Sequence, residues 1–166
     1  GAYLVLRRHA QGGQRGLAHY GEQQQVEHVY EIAQGRYQYA VATGDFDRDG
    51  DADLAVSTWI WTPGFAVLPN NGDGTYGRPV RYTSAEPALD VAAADFDRDG
   101  DDDVVVSNTG EYWMGTTVSF FRNLGNGTFA PQVQFAAGSG PVGLAAADFD
   151  GDQDLDLAVA DYGYLG

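Results

Sequence analysis

Short apolar runs recur along the chain, and each is entered the same way. Leu54-Ala55-Val56, Val104-Val105-Val106 and Leu157-Ala158-Val159 are rich in β-branched residues and too short for helices. Upstream of each lies a stretch of small residues: Ala40, Ala42 and Gly44; Ala92, Ala93 and Ala94; Gly143, Ala145, Ala146 and Ala147. Between the small and the apolar stretch sits a polar loop with Phe at its second position: Phe46, Phe96 and Phe149. Downstream, Asn70-Asn71-Gly72-Asp73-Gly74-Thr75-Tyr76 is matched by Asn123-Leu124-Gly125-Asn126-Gly127-Thr128-Phe129. Gly/Asn-rich segments between apolar runs are hairpin signals.

One repeat therefore reads as four strands. Strand A covers 88–95 (or 141–148), B 103–107, C 117–122 and D 132–137. The polar loops start at 45, 95 and 148, a period of about 50 residues that suits a repeat architecture. Four short antiparallel strands per repeat predict an all-β fold of β-propeller blades. Crowding of the innermost strands at the propeller axis accounts for the small residues of strand A. The expected units are 1–36 (a degenerate half blade with strands C and D), 37–87, 88–140 and 141–166 (a half blade with strands A and B). In the first, residues 3–8 and 26–30 read as strands, with a polar Gly/Gln-rich loop between. About three blade equivalents leave sheet edges open, so further blades are expected from the same or a partner chain.

The polar loops carry the chemistry. Acidic residues occupy positions 1, 3, 5, 7 and 9 of each. They are Asp45, Asp47, Asp49, Asp51 and Asp53; Asp95, Asp97, Asp99, Asp101 and Asp103; Asp148, Asp150, Asp152, Asp154 and Asp156. Carboxylates held this close repel unless a cation joins them. Hard oxygen donors on a flexible loop suit Ca²⁺, which takes about 6–8 oxygens at roughly 2.3–2.6 Å, better than Mg²⁺. By analogy with other loops of this spacing, positions 1, 3, 5 and 9 supply side-chain oxygens and position 7 a backbone carbonyl. Gly50 and Gly100 permit the sharp turn at position 6, a rule that Gln153 breaks in the third loop. An EF-hand is excluded: its loop ends in Glu at position 12 and runs into a helix, whereas Val56, Val106 and Val159 stand there, within strands.

Composition narrows the function. The net charge is −15, and fifteen of the 24 acidic residues stand at the loop positions above. Three Ca²⁺ would bring the charge to about −9. The excess argues against nucleic acid as a partner and against anionic membranes, and no apolar run is long enough to insert. Cysteine is absent, and all nine basic residues are Arg. His9, His19 and His28 lie in the degenerate first unit and read as surface residues rather than a metal site. No nucleophile elbow, zinc motif or phosphate loop is present, so no catalytic residue is expected.

These motifs resemble the FG-GAP/VCBS repeats of integrin-like β-propellers. The resemblance rests on Asn70–Tyr76, on Gly125–Phe129 and on Ala-Ala-Ala-Asp-Phe-Asp at 92–97 and 145–150, and it covers 37–162. It implies structural Ca²⁺ in the A–B loop of each blade. The family occurs in integrin α heads, in fungal and bacterial lectins, and beside catalytic domains of secreted enzymes. An extracellular location follows as an expectation, with a role in cell adhesion or in recognition of a glycan or extracellular protein. The alternatives are a non-catalytic propeller scaffold of a secreted hydrolase or lyase, or a structural repeat of an extracellular assembly. Candidate ligand-binding residues lie in the B–C connections, at the end opposite the Asp loops: Trp59, Trp61, Tyr112, Trp113 and Tyr162. The competing expectation is that these rings fill gaps between blades.

Overall fold

The structure is a computed structural model that describes residues 3–6, 28–31, 40–59 and 63–163. Strands β1 (Tyr3–Leu6) and β2 (His28–Glu31) form an antiparallel pair of their own. The rest of residues 1–39, with Ile60, Trp61, Thr62 and 164–166, lies outside the described residues. Expectations for His9, His19, Trp61 and most of the first unit fall there.

Next come two four-stranded antiparallel sheets. The first is built from β3 (Val41–Gly44), β4 (Asp53–Thr58), β5 (Gly64–Leu68) and β6 (Val80–Thr83), in sequential order. The second repeats it with β7 (Ala88–Ala94), β8 (Asp103–Asn108), β9 (Thr117–Phe121) and β10 (Val133–Ala136). Two further strands, β11 (Pro141–Ala147) and β12 (Asp156–Asp161), pair antiparallel. Among the described residues the only helical element is a 3₁₀ turn, Glu111–Trp113. The protein is thus all-β, with four-stranded antiparallel blades of propeller type.

Register explains the composition. In both complete sheets the second strand is buried along its whole length. It is covered on both faces, which is why it reads as a continuous apolar run rather than an alternation. The outermost strands β6 and β10 are mostly exposed. Inner strand β7 lies against both β3 and β11, where small side chains let backbones approach. Side-chain hydrogen bonds tie these strands across units: Ser57 Oγ donates to the Leu89 carbonyl at 3.1 Å, and Leu144 N donates to Asp90 Oδ2 at 2.7 Å.

The main core lies between the two complete sheets. Phe46, Phe65, Val67, Val104, Val106, Phe121 and Phe129 are buried there, with Tyr82 packed against them. Ring centroids of Phe65 lie 4.9 Å from Phe121 and 5.4 Å from Phe129, both edge-to-face, which suits the ring quadrupoles. Phe46 comes from the first polar loop and meets Phe129 of the second sheet at 5.6 Å. Phe46, at loop position 2, therefore belongs to the core shared with the next unit.

Candidate metal centres

Each loop is wound by its own carboxylates. Asp45 accepts Asp49 N through Oδ1 at 3.1 Å and Gly50 N through Oδ2 at 3.0 Å, while Asp49 Oδ1 accepts Asp51 N at 2.9 Å. The second loop repeats this with Asp95 accepting Asp99 N and Gly100 N, both at 3.1 Å. Asp residues favour such turns because the short side chain reaches a backbone N–H a few residues on. In the third loop Gln153 N reaches Asp148 Oδ2 at 3.1 Å, as the glycine does in the others. Gln153 achieves this at φ 75°, the left-handed region that Gly50 (φ 91°) and Gly100 (φ 90°) occupy without steric penalty. The departure from glycine keeps the bond to position 6, although Asp148 Oδ1 accepts Gly151 N at 2.7 Å, at position 4, where the other loops use position 5.

The windings gather carboxylate oxygens. Asp45, Asp47 and Asp53 bring ligand atoms within 4.8 Å of one another, as do Asp95, Asp97 and Asp99, and Asp148, Asp150 and Asp156. Two oxygens sharing one Ca²⁺ lie at most about 4.6–5.2 Å apart, given bond lengths of roughly 2.3–2.6 Å. The oxygen-only donor set and this spacing therefore fit a hard divalent cation. Positions 1 and 3 enter every cluster; position 9 enters the first and third, position 5 the second.

Position 9 has a second task. Asp53 accepts Phe46 N at 3.0 Å and Asn70 N at 2.7 Å; Asp103 accepts Phe96 N at 3.2 Å and Asn123 N at 2.8 Å. One buried carboxylate thus fastens the start of the loop to the Gly/Asn hairpin of its own sheet. Burial first, then the charges of Asp97 and Asp99, push the Asp103 carboxyl up to about 6 against those two N–H groups. Asp53 is raised for the same leading reason. A divalent cation beside such a carboxylate would offset the cost of keeping it charged.

Position 7 behaves differently. Asp51, Asp101 and Asp154 enter none of the three clusters. Arg48, at position 4 of the first loop, reaches across to the Asp101 carboxylate of the second, and Arg98 to Asp154 of the third. These two position-7 side chains are counter-ions between units, not members of the oxygen clusters.

Sequence reasoning missed Asn70, Asn123 and Asp102. Asn123 is fully buried and donates from Nδ2 to the carbonyls of Phe46 and Asp102, at 2.9 and 3.0 Å. Its signal was its fixed place two residues before the Gly-x-Gly-Thr turn. Asp102, held against Gly44 and Asp45 of the preceding unit, is raised chiefly by burial. It had no signal, since Ala52 and Leu155 stand at its position in the other loops.

Residues 62–106 and 108–159 match the FG-GAP-like repeat family, and 37–58 and 88–127 match the FG-GAP repeat family. The chain belongs to the FG-GAP repeat family. No curated protein matches it. FG-GAP repeats often bind Ca²⁺ and are typical of extracellular proteins, and the Asp clusters described above lie within matched segments.

At the opposite end of the sheets the aromatic connections meet. Trp59 and Trp113 have centroids 6.3 Å apart, and Trp113 stacks on Tyr162 at 5.1 Å with 28° between planes. Successive units thus contribute one ring each to a row. Tyr112 projects beside it, 77% exposed, and Tyr162 is 61% exposed. Tyr112 (φ 57°) and Trp113 (φ 64°) are both in the left-handed region, a conformation that non-glycine residues adopt at a cost. Both expectations for these rings have a counterpart: Trp113 packs between units, while Tyr112 stands out from them.

Proposed function

We propose that this FG-GAP chain is an extracellular, Ca²⁺-stabilised propeller segment that recognises a glycan or protein partner and performs no catalysis itself. In this reading Ca²⁺ sits in the Asp loops and is structural. Asp45, Asp47, Asp49 and Asp53, with their equivalents, supply the side-chain oxygens, and position 7 contributes through its carbonyl. Partner recognition falls to the other end of the blades.

The observation that carries recognition is the row Trp59–Trp113–Tyr162 with Tyr112 standing beside it. Aromatic faces with polar neighbours suit sugar rings or protein side chains, and a row over several units suits an extended or clustered ligand through avidity. A second reading, a purely structural repeat, is favoured by the stacking of Trp113 on Tyr162, which ties units together. A glycan array probed with the parent and with a Trp59→Ala/Trp113→Ala variant separates them. The recognition reading expects binding by the parent and loss in the variant. Binding by neither favours the structural repeat.

A further inference from the structure

Connections at this end of the two complete sheets line an open groove of about 630 Å³, within the usual range for small-molecule sites. Its walls come from three segments. Trp59 and Pro63 belong to the β4–β5 connection, Glu86 and Pro87 to the crossover from β6 to β7, and Glu111 and Tyr112 to the 3₁₀ turn. Ser84 Oγ donates to the Glu86 carbonyl at 2.6 Å and fixes the crossover. The turn is closed by Gly115 N on the Thr109 carbonyl at 2.8 Å. Tyr112 is held there in its left-handed conformation, a kind of strain that folds tend to retain at functional sites.

The lining combines two aromatic rings, two prolines and two carboxylates, and none of the described lining residues is basic. A neutral ligand could use the carboxylates only as hydrogen-bond acceptors, with no charge pairing, and an anionic one would meet them as well as a chain of net charge −15. A cation is attracted by both the carboxylates and the ring faces. We infer that this groove binds an amino-sugar oligomer, its pyranose rings against Trp59 and Tyr112 and its protonated amines on Glu86 and Glu111. The inference rests on the recognition reading above and narrows it to cationic glycans.

The test uses the full chain in saturating Ca²⁺, so that the Asp loops do not compete for the amines. A β-linked glucosamine hexamer, its fully N-acetylated counterpart and a lysine-bearing peptide of similar charge are titrated calorimetrically. The glucosamine hexamer is expected to bind about tenfold more tightly than the acetylated one, in line with a cation held by rings and carboxylates. Glu86→Gln/Glu111→Gln should abolish that preference, while Asp90→Asn/Asp161→Asn, an equal charge change at residues that do not line the groove, should keep it. Equal binding of both hexamers, or a preference that survives in the double variant, overturns the inference and leaves glycan recognition standing. Binding of the peptide without the hexamer also overturns it, in favour of a protein ligand. Failure of every glycan on the array removes the glycan half of the recognition reading as well.

Discussion

The first and third Asp loops share a spacing but not a setting. In the first, Phe46 is fully buried against Phe129, Arg48 pairs with Asp101, and Asn123 of the next unit donates to the Phe46 carbonyl. In the third, Phe149 is 59% exposed, Gly151 stands where the arginine was, and Gln153 replaces glycine. The middle loop lies between: Phe96 is half-buried and meets Phe120 at 6.3 Å, and Arg98 reaches Asp154. The carboxylates at positions 1 and 3, and their hydrogen bonds, change far less. Two functions are therefore interleaved in one loop. Positions 1 and 3, with 5 or 9, gather oxygens, while Phe46 at position 2 and the arginines at position 4 of the first two loops hold the following unit.

That division can be broken most forcefully at position 2. Phe46→Ala leaves a cavity in the inter-sheet core and should cost about 3–5 kcal/mol in chemical denaturation. Within this 166-residue chain, where no following unit covers the third loop, Phe149→Ala should stay within about 0.5 kcal/mol, as surface substitutions do. Equal losses at the two sites would show that the two phenylalanines share one role. At position 6, Gln153→Gly removes a left-handed side chain worth about 1–2 kcal/mol and restores roughly 0.5–1 kcal/mol of unfolded-state freedom. A net gain of about 0.5–1 kcal/mol should appear as a raised melting temperature; a loss would mean that the glutamine side chain makes a contact that matters. The smallest effect belongs to position 4. Arg48→Ala removes an ion pair whose arginine is half-exposed, so about 0.2–1 kcal/mol should be lost. Added salt should narrow the difference between parent and variant by screening the pair.

Much of this was legible in the sequence. Strand order, the turn at Gly125-Asn126-Gly127 and the pairing of small inner strands with apolar second strands all follow from local composition. The loop spacing singled out the acidic residues that the fold gathers. What the sequence hid is direction. Nothing in five evenly spaced aspartates marks Asp101 and Asp154 as partners of arginines about fifty residues earlier, because that contact exists only once neighbouring units dock. The same holds for Asp102, half-buried against the preceding unit, and for Asn123, whose amide spans from its own sheet to the Phe46 carbonyl. The aromatic row was anticipated as a shared face; that Trp113 would stack on Tyr162 while Tyr112 stood free depends on the left-handed turn at 112–113.

Calcium is the centre of the account, and calorimetric titration of the chelated full chain tests it most directly. Saturable binding with at least two sites is predicted. Asp47→Ala should remove one site and Asp51→Ala none, because position 7 contributes no side-chain oxygen. Melting should rise with Ca²⁺ as binding to the folded state requires, by about 2.7 kcal/mol of stability per site at a hundredfold excess over Kd. An absence of binding heat, together with a melting temperature indifferent to chelator, would contradict the account. So would loss of a site in Asp51→Ala with Asp47→Ala unaffected.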